Sequence, residues 1–207
     1  MSRLVLDRFG GRILGAGSTS GLRLVIGDWD TSPLGSFTDV MVATADDRRV
    51  LLAPGTAVAE YVTATYTFDE VRLCPVTLAA DGDTWHLDAG PLRCRVGLGT
   101  RTAVGWLLRP VPDRVGRARA FAHLADPVAR RLLPGVRTVG SAGGGRREYY
   151  GAHDQHHVTS VAGTWEGTDL GGLAPVRPVP RFGFSSTPVA PSVTRVTTTV
   201  ARQVAAS

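Results

Sequence analysis

The chain contains no lysine; all 23 of its Lys and Arg positions are arginine. That excludes every chemistry needing a protein lysine: Schiff-base catalysis, attachment of pyridoxal phosphate, and the phosphate-gripping lysine of a P-loop. Cysteine is nearly absent, with Cys74 and Cys94 as the only two. Two are too few for a disulfide scaffold or a four-ligand structural zinc site, and no C-x-x-C spacing offers a redox dithiol. No apolar run approaches the roughly 18 residues of a membrane span. The first 20 residues carry Arg3, Arg8 and Arg12 without a signal-peptide core. These absences predict a cytoplasmic protein with reduced thiols.

What is present is a globular composition, 43% hydrophobic and 20% charged over 207 residues, enough for one domain spanning 1–207. Gly and Pro together make 38 residues, well above the average share, which favours many short elements. The net charge is +5. Its arginines are scattered beside acidic or apolar neighbours rather than clustered with aromatics, so no nucleic-acid partner is expected.

Periodicity predicts a mainly β chain. After an N-terminal segment (1–20), a short apolar run at 22–26 ends at Gly27, and 28–35 reads as a loop. Residues 37–44 and 48–53 form a hairpin, followed by a helix from Thr56 to about Tyr66 with Thr56 as its cap. Strands follow at 71–79 and 85–88. In the next, Leu92, Cys94, Val96 and Leu98 alternate with Arg93, Arg95 and Gly97. That period of two places Cys94 with the apolar set, as a buried structural thiol. Residues 103–134 read as a helical insertion with Arg-rich pieces at 115–124 and 127–133. Strands are predicted at 146–165, 181–185 and 192–200, with a frayed tail at 201–207.

The densest group of polar side chains runs from Glu148 to His157. On a strand, His153 and His157 stand roughly 13 Å apart and do not share a metal ion. No metal or cofactor is therefore expected. Strict alternation puts Glu148, Tyr150, Asp154 and His156 on one face, and Arg147 and His153 on the other. Asp39 is a second candidate, because a carboxylate between apolar neighbours on a strand must be paired or line a polar cavity. Arg101, at the end of a strand, is a third, as an anion clamp.

The segment Ser32-Pro33-Leu34-Gly35-Ser36-Phe37-Thr38-Asp39-Val40-Met41-Val42 resembles the early segment of acetoacetate decarboxylase-like proteins. There a Pro-Leu-Gly-Pro-Tyr-type turn leads into a strand bearing an acidic residue and aliphatics. The order that follows is also similar: a strand ending in Ala-Pro, a helix, then paired strands, over about residues 27–100. The resemblance implies a large, closed antiparallel β-barrel with a polar-lined interior and places Asp39 at the family's acidic position. The family's Gly-x-Pro-Lys motif and its Gly-Arg-Glu run are missing, so its Schiff-base mechanism does not transfer.

The combined expectation is an antiparallel β-barrel, α+β in detail, with one early helix and a central helical insertion, binding a small organic molecule inside. If the chain is an enzyme, Asp39 or Glu148 serves as base, His153 or His156 as proton shuttle and Tyr150 as hydrogen-bond donor. Arg101, Arg147 and Asp154 then contact the ligand. A non-catalytic carrier of an apolar ligand is one alternative. A protein- or membrane-interaction module built on the Arg-rich helices is another. A homodimer is compatible with everything in the sequence.

Overall fold

The computed structural model describes residues 2–110, 139–141, 143–183 and 187–205. The strands are β1 (Ser2–Ser18), β2 (Arg23–Thr31), β3 (Phe37–Ala43), β4 (Arg49–Ala53), β5 (Glu70–Leu73), β6 (Thr77–Asp81), β7 (Thr84–Ala89) and β8 (Leu92–Arg101). They continue with β9 (Val139–Ser141), β10 (Arg147–Trp165), β11 (Thr168–Asp169), β12 (Leu173–Ala174) and β13 (Ser192–Ala205). Two α-helices are described, α1 (Thr56–Thr63) and α2 (Ala103–Leu108).

All the strands join one sheet, ordered β5-β4-β3-β2-β1-β13-β10-β8-β7-β6, with β9 and β11 attached to β10 and β12 to β1. The two edge strands, β5 and β6, are successive in the chain and separated only by Cys74, Pro75 and Val76. A sheet whose opposite edges are joined by so short a link must curl. The edges do not pair with each other, so the result is an open half-barrel. This corrects the expected closed, fully antiparallel barrel. β4 and β5 pair in parallel, because α1 carries the chain over between them and returns it in the same direction.

Several local expectations change as well. Gly27 does not end a strand; β2 runs through it to Thr31. α1 starts from Gly55 without a side-chain cap, and Thr56 is its first helical residue rather than its cap. The strand expected at 71–79 is split into β5 and β6 at Pro75, whose missing N–H cannot serve a ladder. Of the helical insertion, α2 is seen and the pieces at 115–124 and 127–133 lie outside the described residues. Residues 181–183 are not strand. The tail expected to fray is paired as far as Ala205, which lies opposite Ser2.

β1 was the least legible element, since Gly10, Gly11, Gly15 and Gly17 disguise it. At Gly11 the need is steric: a Cβ there would stand 2.1 Å from the Asp28 carbonyl oxygen on β2. The alternation in β8 is as expected, with Leu92, Cys94 and Val96 buried. They join the main core cluster with Leu14, Leu24, Ile26, Val40, Val42, Trp85 and Trp165. On the opposite face of the sheet, Leu51 and Ala53 pack under Val58, Ala59 and Val62 of α1. That second face carries the cavity.

Candidate functional site

The cavity has a volume of about 170 Å³, close to the roughly 150 Å³ that admits a benzene-sized guest. β1, β2 and β3 supply Phe9, Ile13, Val25, Trp29, Phe37 and Met41 to its wall. β13 adds Thr194, Val196, Thr198 and Val200, while α1 and α2 cover it with Val62, Val104 and Leu108 among others. Into this mostly apolar space project two carboxyl groups, Asp39 and Glu148, each 2% exposed. Four strand steps separate β3 from β10, about 19 Å in a flat sheet. Curling is what sets both carboxyls on one cavity.

Asp39 alternates with Val40, which lies in the main core, so its side chain goes to the other face. The Trp29 indole Nε1 donates to Asp39 Oδ1 at 3.1 Å. Asp39 Oδ2 is buried and has no hydrogen-bond partner among the described residues. Loss of hydration pushes the carboxyl up to about 7, against the smaller opposing effect of the Trp29 hydrogen bond. Gly27, directly across on β2, is required here. A Cβ at that position would come within 2.6 Å of Asp39 Oδ1 and 2.7 Å of Trp29 Nε1.

Glu148 is held by two phenols. Tyr66 Oη lies 3.0 Å from each carboxyl oxygen of Glu148 and 2.6 Å from Tyr150 Oη. Tyr150 Oη is 3.4 Å from Glu148 Oε2. Burial also pushes Glu148 up to about 7, while Tyr66, Tyr150 and the nearby Arg146 guanidinium pull the other way. Burial and the Glu148 charge raise both phenols well above their ordinary range, so they remain O–H donors. The Asp39 charge acts on Tyr150 in the same sense, which ties the two halves of the site together.

Of the eight residues singled out from the sequence, the cavity gathers Asp39, Glu148 and Tyr150. A β-bulge explains why the rest of the Glu148 face does not follow. Ala152 lies opposite Val196, but Asp154, not His153, lies opposite Arg195. The extra residue exchanges the faces of β10, so Gln155 enters the cavity and Asp154 and His156 leave it. Gln155 Nε2 donates to Thr194 Oγ1 at 3.1 Å, and Thr102 Oγ1 donates to Gln155 Oε1 at 2.9 Å.

The displaced residues have other partners. Arg101 donates through Nε and Nη2 to the two oxygens of Asp154, at 2.7 and 2.9 Å. That grip holds the Asp154 carboxyl down to about 2. The anion clamp expected of Arg101 is thus occupied by the chain's own carboxylate. His156 Nδ1 donates to the Gly99 carbonyl at 3.0 Å, and its Nε2 is 3.5 Å from Asp154 Oδ2. His153 is buried with Nε2 2.9 Å from Thr197 Oγ1. Arg147 is exposed. Neither histidine borders the cavity, so neither is placed to shuttle a proton from it.

The sequence reading missed Tyr66 and Trp29, the direct partners of the two carboxyls. One signal was available: the chain has only four Trp, four Tyr and six Phe, and seven of these line the cavity. Among the described residues, no three His, Cys, Asp or Glu side chains form a metal-binding group. No described helix is long and apolar enough to cross a membrane. Neither any protein-family model nor any curated protein matches the sequence.

Proposed function

We propose that the chain binds a small, mainly apolar organic molecule in this cavity, where Asp39 and the Glu148–Tyr66–Tyr150 group perform acid–base chemistry without lysine. The observation that carries the reading is Asp39 Oδ2, a buried carboxyl oxygen with no described hydrogen-bond partner in an apolar cavity. A buried group left so costs free energy that a ligand would recover.

The chemistry follows from the environment of each group. A carboxyl titrating at about 7 is matched to a general acid or base at neutral pH, worth typically ~10²–10⁴ in rate. Asp39, free on Oδ2, presents an acceptor to a hydrogen of the bound molecule. Tyr66 and Tyr150 donate to Glu148 and hold its carboxyl in place for proton exchange. A pure carrier of an apolar ligand needs no inward carboxyls, and the presence of two counts against it. The Arg-rich pieces behind the interaction-module alternative lie outside the described residues.

Native mass spectrometry tests the binding half. The protein purified without added ligand should carry a small molecule that is lost on denaturation, or should be stabilised thermally by single-ring apolar compounds. Finding neither a retained molecule nor any stabilising compound would overturn the reading.

A further inference from the structure

We propose that the molecule taken up by the cavity is a small hydrophobic amine, its ammonium group paired with Asp39 Oδ2 and its apolar body against Phe9, Trp29 and Phe37. This rests on the reading that the cavity binds a small molecule, and adds the sign of its charge.

Three observations converge. First, the described lining contains two carboxyl groups and no arginine or histidine. Nearby arginines are engaged elsewhere. Arg101 grips Asp154, Arg202 donates to Asp7, and Arg146 donates to the Tyr61 carbonyl and the Thr65 hydroxyl. An anionic ligand would meet two carboxyls with no counter-charge on the wall. Second, the two carboxyls are not equivalent. Both oxygens of Glu148 are reached by Tyr66, and Arg146 offsets its charge. Asp39 has the Trp29 indole on one oxygen and no guanidinium acting on it. A cation entering the cavity finds its open acceptor at Asp39 Oδ2.

Third, the wall beside Asp39 is aromatic. Phe9 packs against Trp29, Phe37 and Tyr61 with ring centroids 5.5, 6.4 and 5.1 Å apart, and all four rings line the cavity. Aromatic rings around a desolvated cation attract it through their negative faces. A neutral alcohol gains the hydrogen bond to Oδ2 without that attraction. The volume of about 170 Å³ limits the guest to roughly one ring.

The test is isothermal titration calorimetry with benzylamine, benzyl alcohol and benzoate, three probes of similar shape and different charge. It is run at about pH 8, where the amine is protonated and Asp39 is ionised. Benzylamine should bind at least about tenfold more tightly than benzyl alcohol, a modest share of what a charge-assisted hydrogen bond supplies. Benzoate should bind most weakly. In the Asp39→Asn variant the preference for the amine should vanish while the alcohol still binds. If the alcohol binds the unmodified protein as tightly as the amine, or the anion more tightly, the charge assignment fails and the cavity reading stands. If the preference survives in the variant, Asp39 is not the cation's partner and the assignment fails too. If none of the three binds, the charge assignment fails, and native mass spectrometry decides whether the cavity reading fails with it. The ranking on the unmodified protein decides even where the variant does not fold.

Discussion

Replacing Asp39 by Asn should make the protein more stable in alkaline solution, by an amount that depends on pH in a defined way. The folded-state carboxyl titrates at about 7, against 3.8 for the unperturbed group. Between those values the unfolded chain has released its proton and the folded chain has not. The folded state is then the better proton binder. Stability is full below the lower pKa and falls by about 1.36 kcal/mol per pH unit until the pH passes the upper one. The whole loss is about 4 kcal/mol, of which about 3 falls between pH 5 and pH 8.5. Asn cannot ionise and escapes it. Glu148, also at about 7, is present in both proteins and cancels in the comparison. Thermal or urea unfolding of both proteins, freed of any bound molecule, at the two pH values measures the difference. The advantage of Asn should grow by ~3 kcal/mol, or about 6–12 °C in Tm for a chain of this size. A difference that does not change with pH would refute the reasoning. A variant that loses relative stability on going to alkaline pH would show that a cation pairs with the carboxylate.

Three further outcomes follow from the same geometry. Tyr66→Phe removes the hydroxyl that reaches both oxygens of Glu148; it should raise the Glu148 titration above its present value of about 7, followed by carboxyl carbon NMR, and an unchanged or lower midpoint would contradict it. Arg101→Ala dissolves the partly exposed bidentate pair with Asp154 at little cost in stability, because water and salt screen it. It should return the Asp154 titration toward its ordinary range and leave benzylamine affinity unchanged, and a loss of affinity would place Arg101 in the site after all. A thiol reagent should modify Cys74 in the folded protein and spare Cys94, which burial pushes up to about 12; equal rates at the two thiols would contradict the packing of β8.

The sequence made one half of each contact visible. Asp39 stood out because a carboxylate on an apolar strand is costly, and Glu148 and Tyr150 because strand alternation puts them together. Their partners depend on long-range geometry. Tyr66 sits just beyond a helix, 82 positions from Glu148, and no local pattern reports that distance being closed. His156 and Asp154 were assigned to the wrong side because a single bulged residue between Ala152 and Asp154 inverts the face of the residues just after it, and nothing in the composition near Gly151 announces the inversion. β4 and its hairpin partner β3 were legible because they lie next to each other in the chain. β1 was not, since its glycines answer to what lies against each of them, the β2 backbone at Gly11, the Thr187 side chain at Gly15 and the Pro175 carbonyl at Gly17, not to any preference of their own. The openness of the sheet was hidden for the same reason. Whether β5 and β6 pair is decided by curvature summed over ten strands, to which each strand contributes only a small twist.

The pairing of β1 with β13, from Ser2 opposite Ala205 to Gly15 opposite Ser192, joins the two most distant strands of the chain at the middle of the sheet. On a ribosome, β1 through β4 can assemble early as a local meander, but the outer edge of β1 waits for almost the entire chain. Until β13 emerges, that edge is an unpaired ladder able to recruit a strand from another molecule. Folding is therefore expected to be slow for the chain's length and sensitive to protein concentration. Trimming the last strand would remove the middle of the sheet rather than its rim, and with it the wall on which Glu148 faces Asp39.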